Sequence, residues 1–135
     1  MSGHPDTSAQ PLDWAQFPEW GARAAQWAGE YHAGLRDHAV RPPLNPGATL
    51  AALPEAPPEQ GESTEAIFRD FENIIMPGMT HWQHPRFFAY FPANAAPIAV
   101  LAEYLASSVA AQCMLWQTSP AATELETRVL DWLRQ

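Results

Sequence analysis

The stretch from Met76 to Pro92, which reads M-P-G-M-T-H-W-Q-H-P-R-F-F-A-Y-F-P, constrains the fold of this chain more than any other feature. Its three prolines each remove a backbone hydrogen-bond donor and fix φ, so the stretch predicts neither a regular helix nor a central strand. We expect an ordered, extended loop, with at most a short strand over residues 87–91. Clustered aromatic rings need apolar partners, so the loop is expected to line a pocket or to dock on a partner. The rings belong to Trp82, Phe87, Phe88, Tyr90 and Phe91.

Apolar residues at helical spacing predict a first helix between Asp13 and Gly34, with Asp13 as a candidate N-cap for a short entry turn and Pro18 in the first turn. One face carries an aromatic stripe. A leading helix has little of its own domain to pack against, so we expect this stripe to be buried on another subunit. The stripe consists of Trp20, Ala24, Trp27 and Tyr31.

The next segment, Val40 to Gly61, contains six prolines and predicts an irregular crossing segment that cannot form a regular helix. A second helix is predicted from Ser63, its N-cap, to about Ile75, where Pro77 and the glycine after it end the pattern.

Two further helices are predicted after the loop. The first has Asn94 as its N-cap and extends through Ala111, and its many small residues indicate close packing on several sides. The second has Ser119 as its N-cap and a proline at its first position. Its apolar pattern is still running at Gln135, without a stop signal, so we expect the sequence to be cut there.

Composition excludes several classes of function. Fifteen acidic residues face seven basic ones, without a basic cluster, which argues against nucleic acid and anionic membranes as partners. No run approaches the roughly 18 apolar residues of a membrane-spanning helix. The single cysteine, Cys113, has no disulfide partner and fits a reducing cytoplasm, and its apolar neighbours favour a buried structural thiol.

No complete catalytic group emerges from the residues themselves. His81 and His84, with His32 and His38 upstream, lack the geometry of a zinc hydrolase, so ordinary polar packing is favoured over a metal site. All seven basic residues are arginine, so this chain cannot form a lysine Schiff base. These observations alone indicate a stand-alone helical protein-interaction module.

Three motifs change that interpretation. They are I-I-M-P-G-M-T-H-W-Q-H-P from Ile74, F-F-A-Y-F-P from Phe87, and W-Q-T-S-P-A-A-T-E-L-E from Trp116, followed by L-D-W-L. In this order and spacing, they resemble the N-terminal part of the pyridoxal-phosphate-dependent aromatic-L-amino-acid decarboxylases, the group II decarboxylases. The resemblance covers the chain from about Phe17 onward.

The resemblance implies a fold class and a domain organisation. The chain is expected to be mainly α, the N-terminal helical segment of a fold-type-I pyridoxal-phosphate (PLP) enzyme, with about four helices, the proline-rich crossing segment and the aromatic loop. Residues 1–12 are expected to be a disordered leader, residues 13–94 a dimerisation segment that carries the substrate-pocket loop, and residues 95–135 the start of the large PLP domain.

The resemblance also implies roles for individual residues. Trp82, Tyr90, Phe91 and Pro92 match a loop that lines the substrate pocket in that family. Ala93 stands where the family usually has a threonine that contacts ligand, which leaves only a backbone contact there. The connection that contains Gln112 and Met114 is expected to reach the active site of the partner subunit. The cofactor-binding lysine and the phosphate-binding loop are expected beyond Gln135, so no catalytic, cofactor-binding or metal-binding residue is assigned to this chain.

The implied function is decarboxylation of an aromatic L-amino acid to its amine by a cytoplasmic, PLP-dependent homodimer, with this chain inactive by itself. Tyrosine, dihydroxyphenylalanine, tryptophan and a non-aromatic acid all stay open as substrates. The helical interaction module stays open as the alternative function.

Overall fold

The computed structural model describes residues 12–91 and 95–135. Predictions for residues 1–11 and for Pro92, Ala93 and Asn94 therefore lie outside the described residues. The described chain contains five α-helices and no strand, and it divides into two units, residues 1–93 and 94–135. The helices are α1 (Phe17–Ala33), α2 (Ala48–Ala52), α3 (Thr64–Asp70), α4 (Pro97–Val109) and α5 (Pro120–Arg134).

Helix α1 begins after a turn that Asp13 closes, as predicted. The Asp13 carboxylate accepts hydrogen bonds from the backbone N–H groups of Ala15, at 2.9 Å, and Gln16, at 2.8 Å. Pro18 lies in the first helical turn, where its missing N–H breaks no intrahelical bond.

The aromatic stripe of α1 finds partners within its own chain, which the sequence analysis did not predict. The Trp20 ring lies 5.9 Å from that of Phe68, and the Trp27 ring meets that of Phe71 edge-on at 5.0 Å. The stripe therefore packs on the helix that starts at residue 64. All three aromatic residues of the stripe stay only partly buried, and burial on a second subunit stays a prediction.

The crossing segment contains regular helix, so the prediction that it could not is wrong. A short 3₁₀ turn, Leu35–Asp37, follows α1, and α2 forms at Ala48–Ala52. The sequence between Pro46 and Pro54 has no proline and is rich in alanine and leucine, which are strong helix formers. Gly47 opens α2 with φ of 89°, a backbone conformation that glycine adopts without steric cost.

Helix α3 has the predicted cap and the predicted end. The Ser63 hydroxyl accepts a hydrogen bond from the Ala66 N–H at 3.2 Å. The helix widens into one π-helical turn, Phe71–Ile75, and closes with a 3₁₀ turn, Met76–Gly78. At Gly78 an added Cβ would lie 2.8 Å from the Thr49 hydroxyl oxygen, so glycine lets this turn approach α2.

The short strand considered for residues 87–91 is absent. Residues 87 and 88 are irregular and residues 89–91 form a bend, where Tyr90 has φ of 53°, in the left-handed region, which breaks an extended backbone. Since the described residues include no other strand, nothing there could pair with this segment.

In the second unit, both helices start close to the predicted positions but with different caps. The N-cap position of α4 is Ala96, not Asn94, and no side chain caps it. Ser119 does occupy the N-cap position of α5, yet its hydroxyl makes no cap bond. Its carbonyl oxygen instead accepts from the N–H and the hydroxyl of Thr123, at 3.1 Å and 3.0 Å.

Burial is sparse throughout the described residues, where only Leu35, His81 and His84 are buried. Every residue of α4 is exposed, so the expected packing on several sides does not occur among residues 12–91 and 95–135. Cys113 is also exposed, and the prediction of a buried thiol is wrong because no apolar layer of the described residues covers its connection. None of the described helices combines the length and apolar character needed to cross a membrane.

Candidate functional site

The aromatic loop starts from a short, hydrogen-bonded segment, residues 81–87, which we call the loop root. The His81 N–H donates to the carbonyl oxygen of Val40 at 3.0 Å. Within the root, the His84 N–H donates to the His81 carbonyl at 3.0 Å, and the Phe87 N–H donates to the His84 carbonyl at 2.8 Å. These bonds tie the loop root to the crossing segment and fold it into two successive turns.

The His81 side chain joins the loop root to α1. Its Nδ1 atom lies 2.9 Å from the Tyr31 hydroxyl, and its ring stacks on that of His38 with centroids 4.7 Å apart. Burial lowers the pKa of His81 below its ordinary value of 6.5, and the nearby imidazoles of His38 and His84 lower it further. Burial raises the pKa of the Tyr31 hydroxyl, so this hydroxyl keeps its proton at neutral pH.

Both ring nitrogens of His84 form hydrogen bonds with backbone groups. Nδ1 accepts from the Arg86 N–H at 3.0 Å, which leaves the proton on Nε2, and Nε2 donates to the Arg36 carbonyl at 3.4 Å. Among the described residues, no group of three His, Cys, Asp or Glu side chains could hold a metal ion. Both buried histidines of the loop root thus make polar packing contacts, and their preference for packing over a metal site stays a prediction.

Large rings project from the loop root into solvent. Trp82 packs on Phe87 at 4.8 Å and stacks on Tyr90 at 6.0 Å between centroids, and it stays 40% exposed. Tyr90 is 86% exposed and Phe91 is 98% exposed. Phe88, which was not assigned to the pocket, is equally open at 90%. The structure thus brings Trp82 and Tyr90 together and leaves their outer faces free to contact another molecule.

The other sequence-predicted site residues lie elsewhere. Pro92 and Ala93 are outside the described residues, while Gln112 and Met114 are exposed residues of the second unit, in the connection between α4 and α5. The Thr118 hydroxyl folds this connection by hydrogen bonding to the carbonyl oxygens of Gln112, at 2.7 Å, and Leu115, at 2.9 Å.

Comparison with known proteins identifies the family. Residues 46–135 match the family model described as the pyridoxal-dependent decarboxylase conserved domain. The chain belongs to the pyridoxal-dependent decarboxylase family. Its all-helical described structure agrees with the predicted fold class, a helical segment of such an enzyme.

Named relatives of this decarboxylase-family chain act on aromatic amino acids according to their names. This chain is 43% identical over 123 residues to tyrosine decarboxylase 1 of Narcissus pseudonarcissus, and the match covers 91% of this chain and 24% of that protein. It is 40% identical over 122 residues to the aromatic-L-amino-acid decarboxylase of Rattus norvegicus, covering 90% of this chain and 25% of that protein. The chain thus spans about a quarter of the length of these relatives.

Solved structures resemble the chain in fold. Catharanthus roseus tryptophan decarboxylase in complex with L-tryptophan superposes with a TM-score of 0.84 and 35% identity, covering 92% of this chain and 27% of that one. The Oryza sativa TDC with PLP and tryptamine gives a TM-score of 0.85 and 32% identity, covering 92% of this chain and 26% of that one.

The residues of this decarboxylase-family chain do not by themselves form a site for PLP. The sequence has no lysine, so no side chain here can form the covalent link to the cofactor aldehyde. The described loop residues present aromatic faces, which suit an apolar ring rather than a phosphate. A lysine that links PLP covalently must therefore lie outside these 135 residues.

Two residues that position the loop and α1 were missed by sequence reasoning. Tyr31 appeared only as the last member of an apolar stripe, although its hydroxyl bonds His81. Arg23 places its guanidinium 4.7 Å from the Phe68 ring centroid and 5.0 Å from that of Trp20, and it hydrogen bonds Glu65. That hydrogen bond is the main cause of the lowered pKa of Glu65. Apolar periodicity carries no signal for such polar contacts between helices.

Proposed function

We propose that this chain is part of an aromatic L-amino acid decarboxylase, in which it supplies one wall of the substrate pocket and contacts between two subunits. One observation carries this proposal: large rings stand exposed on a loop root that buried histidines fix to the rest of the unit. An exposed aromatic cluster on a fixed support is suited to contact a flat apolar ligand, because little conformational freedom is lost on binding.

In this proposal, Trp82, Tyr90 and Phe91 contact the substrate ring. Each ring contact contributes about 0.5–1.5 kcal/mol beyond the burial of apolar area. Pro92 restricts the backbone of Phe91 to extended conformations and so presets the direction of its ring. Ala93 offers only its backbone, where family members usually have a threonine. The names of the relatives support an aromatic L-amino acid as the substrate class.

The proposal also includes a homodimer. Gln112 and Met114 are proposed to reach the partner subunit's active site, since both are exposed on a connection outside the loop unit. The exposed apolar residues of α5 supply surface that a second subunit would bury; they are Leu125, Val129, Leu130, Trp132 and Leu133. PLP is the proposed cofactor, held by residues outside this chain, and the cytoplasm is the proposed location.

The proposal is tested with the longest protein that the gene encodes around these 135 codons. Purified with PLP, it should release carbon dioxide from L-tyrosine, L-dihydroxyphenylalanine or L-tryptophan. As the control, the 135-residue chain mixed with PLP should give no side-chain adduct that borohydride traps, because it has no lysine. No carbon dioxide from any aromatic L-amino acid would contradict the activity.

A helical protein-interaction module is the second candidate function, and the exposed apolar surface favours it. The two candidate functions predict different coding sequences after codon 135. The decarboxylase requires a reading frame that continues there and encodes a lysine-bearing domain. A stop codon directly after codon 135 would favour the interaction module.

A further inference from the structure

Three segments of the first unit meet at the loop root through titratable side chains. Tyr31 comes from α1, His38 from the connection after it, and His81 from the root itself. The hydroxyl of Tyr31 lies 2.9 Å from His81 Nδ1, and the rings of His38 and His81 stack at 4.7 Å with an interplanar angle of 29°. The backbone bond from His81 to Val40 closes the same junction at 3.0 Å.

We propose that Tyr31, His38 and His81 form a proton-sensitive joint that positions the aromatic loop, and that acidification opens this joint. The inference deepens the proposed function and rests on it, because the loop held by the joint is the proposed pocket wall. Tyr31 and the two histidines are positioning residues, since they act on the substrate through Trp82 and its neighbours.

Burial explains why protons open the joint. The His81 residue is only 7% exposed, so its charged form would lose most of its hydration in the closed joint. A charged His38, stacked at 4.7 Å, would also repel a charged His81. Opening returns the buried His81 ring to water and separates it from the exposed His38 ring. The open joint therefore binds protons more tightly, and its population rises as pH falls below about 6.5, the ordinary pKa of histidine.

Other charged groups face the joint from each surrounding element. Glu72, from the π-helical turn, lines a cleft together with His38 and His81, and Glu30 of α1 lines a neighbouring cleft with Tyr31 and His38. Both carboxylates would stabilise charged histidines in the closed joint. Both are exposed, so solvent and salt screen this opposing effect.

Three further titratable groups lie at the joint: His32, His84 and the Tyr31 hydroxyl. His32 is exposed on α1, with its ring 5.2 Å from that of Tyr31. His84, from the loop root, acts in the same direction as His38, because its nearby imidazole lowers the pKa of His81. The Tyr31 hydroxyl stays protonated at all relevant pH values, since burial raises its pKa. The hydrogen bond at Nδ1 therefore holds the joint closed while His81 is neutral.

Hydrogen exchange on the full 135-residue chain tests the joint. The reporter is the His81 amide, which donates to Val40, and its protection factor is compared between about pH 7.5 and about pH 5. We expect its protection to fall about tenfold, because the closed joint binds protons less tightly than the open joint. The Ala25 amide within α1 should keep its protection, because the joint opens locally.

Variants separate the proton effect from a structural one. His38→Gln removes the stacked charge and should reduce the pH-dependent loss at His81 to about fivefold, because burial, the larger cause, remains. Tyr31→Phe keeps the ring and should lower His81 protection already at neutral pH. His32→Gln is the matched control, because His32 is exposed and its ring meets that of Tyr31 at 73°, outside the stack of His38 on His81.

Three outcomes would overturn the proposal: unchanged His81 protection across the pH range, an undiminished pH effect in His38→Gln, or an equal loss at Ala25. The exchange experiment needs neither cofactor nor substrate. The two proposals can therefore fail separately. A lack of decarboxylase activity would not contradict the proton-sensitive joint, and a negative exchange result would not contradict the proposed pocket wall.

Discussion

Trp27 provides the sharpest test of how the first unit is held together. Its ring meets Phe71 edge-on at 5.0 Å and stacks on Tyr31 at 5.4 Å with an interplanar angle of 5°. Truncating a fully buried tryptophan to alanine costs about 3–5 kcal/mol. Because Trp27 is only partly buried and its two ring contacts contribute about 0.5–1.5 kcal/mol each, we expect Trp27→Ala to lower the free energy of unfolding of this unit by about 2 kcal/mol.

The assay is native-state hydrogen exchange of amides in α3, which reports on the first unit separately. Trp14→Ala is the matched control, since Trp14 is 74% exposed and makes one edge contact, to Phe17 at 5.0 Å. It should change α3 stability by less than about 0.5 kcal/mol. The Trp27 effect should not depend on protein concentration, because its partners lie in the same chain. Equal effects of the two variants would refute the packing of α1 on α3, and a strongly concentration-dependent effect would place the stripe on a second subunit.

Other predictions concern a cap, a close approach and an ion pair. Ser63→Ala should destabilise α3 by about 1 kcal/mol, measured by exchange at the Ala66 amide, while Ser63→Thr should retain most of the stability. Gly78→Ala should destabilise the turn after α3, because its Cβ would lie 2.8 Å from the Thr49 hydroxyl oxygen. Adding Thr49→Ala should restore part of the lost stability, and no rescue would show that this contact is not limiting. Glu65 has a pKa lowered from 4.5, so its contribution to stability is present above that pH and is lost as pH falls below it. Glu65→Gln should remove this acid-dependent part of the unfolding curve, and an unchanged acid limb would contradict the assignment.

Sequence patterns were sufficient to locate most helices, because prolines and caps act locally. Ser63 and Pro77 bracket α3 and its extensions, and Pro97 and Pro120 lie at the starts of α4 and α5. Helix α2 was not predicted. The prolines of the crossing segment excluded a helix over its whole length, but residues 47–53, between Pro46 and Pro54, contain no proline and are long enough for a short helix.

Long-range contacts were much harder to predict. The stripe of α1 gave no indication that Phe68 and Phe71 would be its partners, because periodicity identifies a face but not what covers it. His81 and His84 make polar contacts whose partners, Tyr31 and backbone groups, depend on how three distant segments meet. Cys113 was assigned to a buried site from its apolar neighbours, although exposure depends on tertiary packing.

The substrate-pocket assignment could not come from residue patterns alone. Aromatic residues between prolines indicate either a pocket or a docking surface, and the exposed rings of Tyr90 and Phe91 fit both. Resemblance supplied the pocket interpretation, and the comparisons establish the family.

The most direct test of the pocket proposal is steady-state kinetics of Phe91→Ala in the longest protein that the gene encodes, with Phe88→Ala as the control. If Phe91 contacts the substrate ring, its truncation should reduce the binding free energy of the aromatic substrate with the larger ring by about 2–4 kcal/mol. The loss should appear mainly as a raised KM, because the pocket wall binds substrate and transition state about equally well. The ratio of kcat/KM for L-tryptophan and L-tyrosine should change in Phe91→Ala and stay the same in Phe88→Ala, with PLP affinity unaltered in both. An unchanged substrate ratio with weakened PLP binding would contradict the proposed pocket wall.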